Sequence, residues 1–229
     1  MPRVVICVPT LKKPYQVTLD SIAASVPLLD SAGYDHMMVS EVGCPYISAA
    51  RSAMLRKALD AKADVIVFID HDVSWAPQDL LTLIETEGDV IAGTYRFKKE
   101  PEEYMGQLLS TPDGTPIVRQ SDGAIATFSA PAGFLKITPK AVNQFLSKFP
   151  ELAYGDRHSP HVDLFNHGAH NHTWYGEDFA FCRRWIETGG SLWTVPNLNI
   201  NHHGNDGTVY AGNLHEFLMR QPGGSKEKQ

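Results

Sequence analysis

Apolar and polar positions follow two rhythms along the first hundred residues. Val4–Val8 is a β-branched run ending at Pro9-Thr10, a buried strand followed by a loop. "QVTLDSIAASVPLLDSAG" then repeats its apolar residues at helical spacing and stops at Gly33. "HMMVSEV" predicts a second strand, "YISAARSAMLRKALDAK" an amphipathic helix, and Val65–Ile69 a third strand, apolar throughout. "APQDLLTLIETEG" reads as a helix with Pro77 in its first turn, and "DVIAGTY" as the next strand. The order β-α-β-α-β-α-β predicts an α/β fold with a mostly parallel central sheet and helices on both faces.

After Tyr95 the rhythm changes. "KKEPEEYMGQLLSTPDGTPIV" is turn-rich, and "AIATFSA" and "GFLKI" are short, less regular strands. Thr138-Pro139 opens a helix that runs to about Phe149. "LAYGDRHSPHVDLFNHGAHNHTW" has no period and reads as a long loop. "GEDFAFCRRWIETGG" is a helix closed by Gly189-Gly190, and "SLWTVPNLNINHHG" supplies one or two last strands. The stretch 216–229 reads as a disordered tail.

With 229 residues, 43% of them hydrophobic, the chain has the material for one sizeable core. The net charge is −6 and no polybasic run occurs, so a nucleic-acid acceptor is possible but not favoured. Cys7, Cys44 and Cys182 are isolated and odd in number, and Cys7 and Cys182 fall in apolar patterns. Buried thiols in a reducing compartment are therefore expected. The opening "MPRVVICVPT" is a strand rather than a secretory signal, and no apolar run reaches the length of a membrane span. A cytoplasmic protein is the expectation.

The candidate chemistry begins at "VIVFIDHDVSW". In parallel α/β sheets ligands bind beyond the carboxyl ends of the strands, and Asp70 and Asp72 fall at such an end. On an extended segment residues i and i+2 point the same way, so both carboxylates can address one divalent cation, Mn²⁺ or Mg²⁺. The plainer reading is an Asx turn or helix cap. The apolar run before the tripeptide favours the metal. A histidine from "NINHHG" can add a nitrogen ligand, and His203 is preferred over His202, which an extended strand turns to the opposite face.

Together "ICVPTLKKP", "ISAARSAML", "VIVFIDHDVSW", "VIAGTYRFK", "APAGFLKIT", "YGEDFAFCRRWIETGG" and "NHHG" resemble, in order and spacing, the GT-A class of nucleotide-sugar glycosyltransferases, especially small family-2-like enzymes. The resemblance spans the chain to about residue 204. It implies a GT-A-like, Rossmann-like fold in which residues 1–95 form the donor-binding half. Residues 96–215 form the acceptor-binding and catalytic half of the same domain. Pro9 and Thr10 would sit beside the donor base, Arg51 would contact donor phosphate, and Asp70 and Asp72 would hold ribose and metal. His203 would complete the metal site, and His71, between the two aspartates, would fall among the donor-binding residues with its role open.

Glu177 and Asp178 open a helix, where carboxylates complement the helix dipole whatever else they do. The resemblance makes Asp178 the general base that deprotonates an acceptor hydroxyl, with Glu177 in an acceptor-orienting or electrostatic role. One base opposite the leaving group implies inversion. Tyr95, Arg96 and Lys98 would line the donor-sugar side, and Gly133 would allow close backbone approach to a ligand. His158, His161, His167, His170 and His172 crowd one loop without a zinc-motif spacing, so a lid over the sugars is preferred to a zinc site.

The function implied is metal-dependent transfer of a hexosyl or pentosyl group from a nucleotide-sugar, UDP favoured, to an acceptor glycan or other hydroxyl-bearing molecule. The alternatives are a nucleotidyltransferase of related fold, disfavoured because "VPTLKKP" has no glycine, and a non-catalytic nucleotide- or carbohydrate-binding module.

Overall fold

The computed structural model describes residues 1–221. In chain order the elements are β1 (Arg3–Thr10), α1 (Gln16–Ser31), β2 (Asp35–Val42), α2 (Ile47–Asp60), β3 (Val65–Ile69), β4 (Val73–Trp75), α3 (Pro77–Glu85) and β5 (Val90–Gly93). There follow β6 (Gln107–Leu108), β7 (Ile125–Ser129), β8 (Phe134–Ile137), α4 (Pro139–Lys148), β9 (Ala153–Tyr154), β10 (His161–Val162), β11 (Gly168–His170) and β12 (Thr173–Tyr175). The described chain ends with α5 (Glu177–Glu187), β13 (Trp193–Val195), β14 (Ile200–His203), β15 (Val209–Tyr210) and α6 (Leu214–Arg220).

Eight strands make the central sheet in the order β2-β1-β3-β8-β5-β13-β7-β6, and β7 and β8 run against the other six. The period-two alternation of β1 divides the core. Val5 and Cys7 pack with Met54 and Leu55 of α2, Phe145 of α4, and Phe181 and Trp185 of α5. Val4, Ile6 and Val8 pack on the other face with Ile22 and Leu29 of α1 and Leu80 and Leu83 of α3. Each such fully buried large side chain contributes about 1.5–3 kcal/mol. The expected fold class, α/β with a mostly parallel sheet covered on both faces, is the one found.

Three local expectations are corrected. Pro9 and Thr10 belong to β1 itself, because β2 runs beside them in register as far as Thr10↔Val42. The His-rich segment is not structureless: it folds into two small hairpins, β9-β10 and β11-β12. Residues 216–220, expected as tail, lie in α6, whose cap Asn213 accepts a hydrogen bond from the Glu216 amide at 3.2 Å. The rest of that tail, 222–229, lies outside the described residues. Cys7 and Cys182 are buried thiols as expected, and Cys44 is only partly covered. No helix among the described residues is long and apolar enough to cross a membrane.

The antiparallel strand β8 decides what lies beside Asp70. Its first residue, Phe134, pairs with Ile69, the last of β3. Gly133 therefore arrives at the carboxyl end of β3, and its carbonyl accepts a hydrogen bond from the Asp70 amide at 2.9 Å.

Candidate active site

Two acidic centres form at this edge, and the tripeptide Asp70-His71-Asp72 is divided between them. The chain turns at residues 71–72 before β4, so it is not extended there and the i, i+2 rule fails. Asp70 faces Arg51 and Tyr95, whereas Asp72 faces Lys98 and His202. The two carboxylates expected to address one ion thus have separate side-chain partners.

At the first centre Arg51 is 2% exposed and meets three carboxylates. Its Nη2 donates to Asp70 Oδ1 at 2.9 Å, and its Nη1 donates to Glu177 Oε1 at 2.6 Å and lies 3.6 Å from Asp178 Oδ1. The guanidinium also lies over the Phe165 ring, 5.1 Å from its centroid. The small neighbours on α2 leave room for this burial, as the sequence suggested, and the partners of Arg51 within the chain are carboxylates. The Tyr95 hydroxyl donates to Asp70 Oδ2 at 2.8 Å. Tyr95 is itself buried, so it is a strut under the site rather than a lining residue. A Cβ on Gly133 would lie 2.0 Å from that hydroxyl and 2.2 Å from Asp70 Oδ2. The close approach that requires glycine here is thus made by the protein's own side chains.

Glu177 and Asp178 occupy the first turn of α5, with Gly176 as N-cap. Burial acts against the Glu177 charge, but its neighbours, Arg51 among them, hold its carboxyl below the usual range. Asp178 goes the other way. Burial raises its carboxyl above the usual range; Arg51 opposes this, and the Glu177 and Asp70 charges add to it. Its Oδ2 accepts from the Ala132 amide at 3.3 Å, while its buried Oδ1 has no hydrogen-bond partner.

At the second centre burial again opposes ionisation, yet His202 and Lys98 hold the Asp72 carboxyl well below the usual range. Lys98 Nζ donates to Asp72 Oδ2, and His202 Nε2 stands 3.7 Å from Oδ1. His202 Nδ1 lies 2.8 Å from the Arg96 carbonyl oxygen. A carbonyl can only accept, so Nδ1 carries a proton, and Nε2 is the ring nitrogen turned toward Asp72. The Tyr95 ring meets His202 edge-on at 4.9 Å and so links the two centres.

The preference for His203 is corrected here. On β14 its amide donates to the Asp72 carbonyl at 2.8 Å, but its ring Nε2 lies 2.8 Å from Ser74 Oγ. Alternation along β14 turns His202 to the Asp72 side chain. Arg96 also departs from expectation: its Nη2 donates to Glu100 at 2.8 Å and its guanidinium lies near the Tyr210 ring. His71 gains a structural setting. Its carbonyl accepts from the Tyr15 amide at 2.8 Å and the Thr18 hydroxyl at 2.9 Å, and its ring meets Tyr15 edge-on. Pro9 is buried, and Thr10 has a buried hydroxyl without a partner.

Among the described residues no three His, Cys, Asp or Glu side chains form a metal cage. Asp72 and His202 nevertheless fit a divalent ion as an oxygen and a nitrogen ligand. The Arg96 carbonyl orients the imidazole in the manner of an outer-sphere partner, and the Lys98 ammonium stands in for a cation on the carboxylate. Such ions keep several water or phosphate ligands, so two protein groups are compatible with binding. Sequence reasoning missed His202 as the residue facing Asp72. It noted Lys98 but not its contact with that carboxylate. A β-strand alternation counted forward from buried Ile200 selects His202.

No model of a known protein family matches the chain, and no curated protein matches its sequence. Among solved structures it is similar to the catalytic domain of Drosophila β1,4-galactosyltransferase 7 in complex with xylobiose. That match has 14% identity and a TM-score of 0.48, over 92% of this chain and 70% of that one. A mutant of the same enzyme in complex with manganese, UDP-galactose and xylobiose has 13% identity and a TM-score of 0.48, over 100% and 78%. A glycosyltransferase involved in glycosylation of the major capsid of PBCV-1 has 14% identity and a TM-score of 0.35, over 66% and 68%. All three are glycosyltransferases. At such identities and TM-scores the likeness carries no inference about substrate or mechanism, which rest on the two acidic centres alone.

Proposed function

We propose that this chain is a GT-A-like glycosyltransferase that moves a sugar from a nucleoside-diphosphate donor, UDP favoured, to an acceptor hydroxyl with inversion. The observation that carries the reading is Asp178. It is a carboxylate raised by burial, with one oxygen unpartnered, tied through Arg51 to a strand-end aspartate. A base with a raised pKa is matched to taking a proton from a hydroxyl near neutral pH. Glu177, neutralised by Arg51, is the weaker base and orients the acceptor. Asp70 is held for a donor hydroxyl by Arg51 and Tyr95, and Pro9 and Thr10 end β1 on the donor side.

Asp72 and His202 would hold Mn²⁺ or Mg²⁺. The ion would supply counter-charge for the leaving diphosphate. Asp178 receives the acceptor proton as the acceptor oxygen bonds to the anomeric carbon and the bond to the diphosphate breaks.

The test is a thermal-shift panel of UDP, GDP and dTDP with Mn²⁺, followed by transfer assays. One nucleotide should raise the melting temperature, and Asp178→Asn should keep that shift while losing transfer by about 10²-fold or more. No shift with any nucleotide, or full transfer by Asp178→Asn, overturns the reading.

A further inference from the structure

Lys98 is the cation already seated on Asp72. Its Nζ donates to Oδ2, on the carboxylate the proposed ion would use. The Lys98 and Asp72 side chains are 31% and 13% exposed, so water screens this pair less than an ordinary surface pair. Lys98 lies in the bend after β5, outside every strand, and its ammonium sits on a long flexible stem. It can leave Asp72 without breaking a sheet ladder. His202 approaches the other oxygen and is fixed from behind by the Arg96 carbonyl. The carboxylate is therefore shared between a fixed imidazole and a movable ammonium.

Resting on the nucleotide-sugar reading, we infer that Lys98 is an internal competitor for the divalent ion at Asp72. The single charge of Asp72 cannot neutralise both an ammonium on Oδ2 and a divalent ion beside His202 at Oδ1, and the two cations repel, so the ion and the ammonium disfavour each other at this carboxylate. A nucleoside diphosphate gives that ammonium another anion to bind, and so relieves the competition. Ion and nucleotide then favour each other's binding, and by linkage the coupling is reciprocal.

The experiment is titration of the full chain with Mn²⁺, the free ion read by electron paramagnetic resonance, with and without UDP, GDP or dTDP. Lys98→Met and Lys98→Gln should each bind Mn²⁺ alone about tenfold or more tighter than wild type. Lys98→Arg should stay at the wild-type value. Adding Asp72→Asn to Lys98→Met should abolish the gain, which assigns it to this carboxylate. Equal or weaker Mn²⁺ binding by both neutral variants overturns the inference, as does a gain that survives Asp72→Asn. If the gain is present but no nucleotide alters Mn²⁺ binding in any variant, competition at Asp72 stands and the nucleotide-sugar reading falls.

Discussion

Arg51 compensates three carboxylates with one buried charge. Asp70, Glu177 and Asp178 come from segments far apart in sequence, and without a cation among them at least one would take up a proton. Removing one member of such a network leaves the others uncompensated. Arg51→Met should cost toward the low end of roughly 3–5 kcal/mol, because the carboxylates keep some contact with water. Urea unfolding at neutral pH measures this. Asp178 carries an opposite sign. Its folded carboxyl is raised above the ordinary value of 3.8, so the unfolded state loses its proton first as pH rises. Its contribution to stability is then present below that value and lost as pH climbs through the raised folded pKa. Asp178→Asn should therefore gain stability relative to wild type between pH 5 and pH 8. Denaturant melts at the two values check it, and a pH-independent difference would contradict the buried, raised carboxyl.

At the scale of elements, the site depends on how short pieces are tied to long ones. β4 is three residues long and pairs antiparallel with β14, so Ile200↔Trp75 and His202↔Val73 set the level of His202 against Asp72. The turn before β4 is held from below by α1. The Thr18 hydroxyl lies 2.9 Å from the His71 carbonyl and 2.8 Å from the Val73 carbonyl, with Thr18 wholly buried. Trp75 adds a bond from its indole N–H to Ser25 Oγ at 3.1 Å. Thr18→Val conserves shape but removes the donor, which should cost about 1–3 kcal/mol. Because those carbonyls flank Asp72, the variant should also weaken Mn²⁺-dependent nucleotide binding while the circular dichroism stays native. Unfolding and thermal-shift measurements test the two effects separately.

At the scale of the whole molecule, the later half of the chain completes the earlier one. β8 inserts between β3 and β5, and α5 packs Phe181 and Trp185 onto the face that α2 also covers. The apolar runs of β1, β3 and β5 require cover on both sides whatever residues stand at the site. The acidic centres occupy the edge where β3 ends and β8 begins. There the backbone of one strand, the first turn of α5 and the buried face of α2 converge.

The apolar periods by themselves determined most helices, the main strands and the two-faced sheet, because burial acts on each segment through its own side-chain spacing. They also put Asp70, Asp72, Glu177 and Asp178 at the ends of elements, where polar groups can face a cleft. The hairpins within 153–175 and helix α6 were not legible. Their strands are two or three residues long, too short for a period, and α6 is seven residues, about two turns, too short to show one clearly. Which carboxylate meets which partner was decided only by tertiary structure. Arg51 reaches Glu177 across 126 positions and Lys98 reaches Asp72 across 26, and no local pattern encodes such pairs. The turn at residues 71–72 separated two aspartates that an extended chain would have aligned, and the alternation of β14 gave Asp72 the histidine that the sequence reading had turned away.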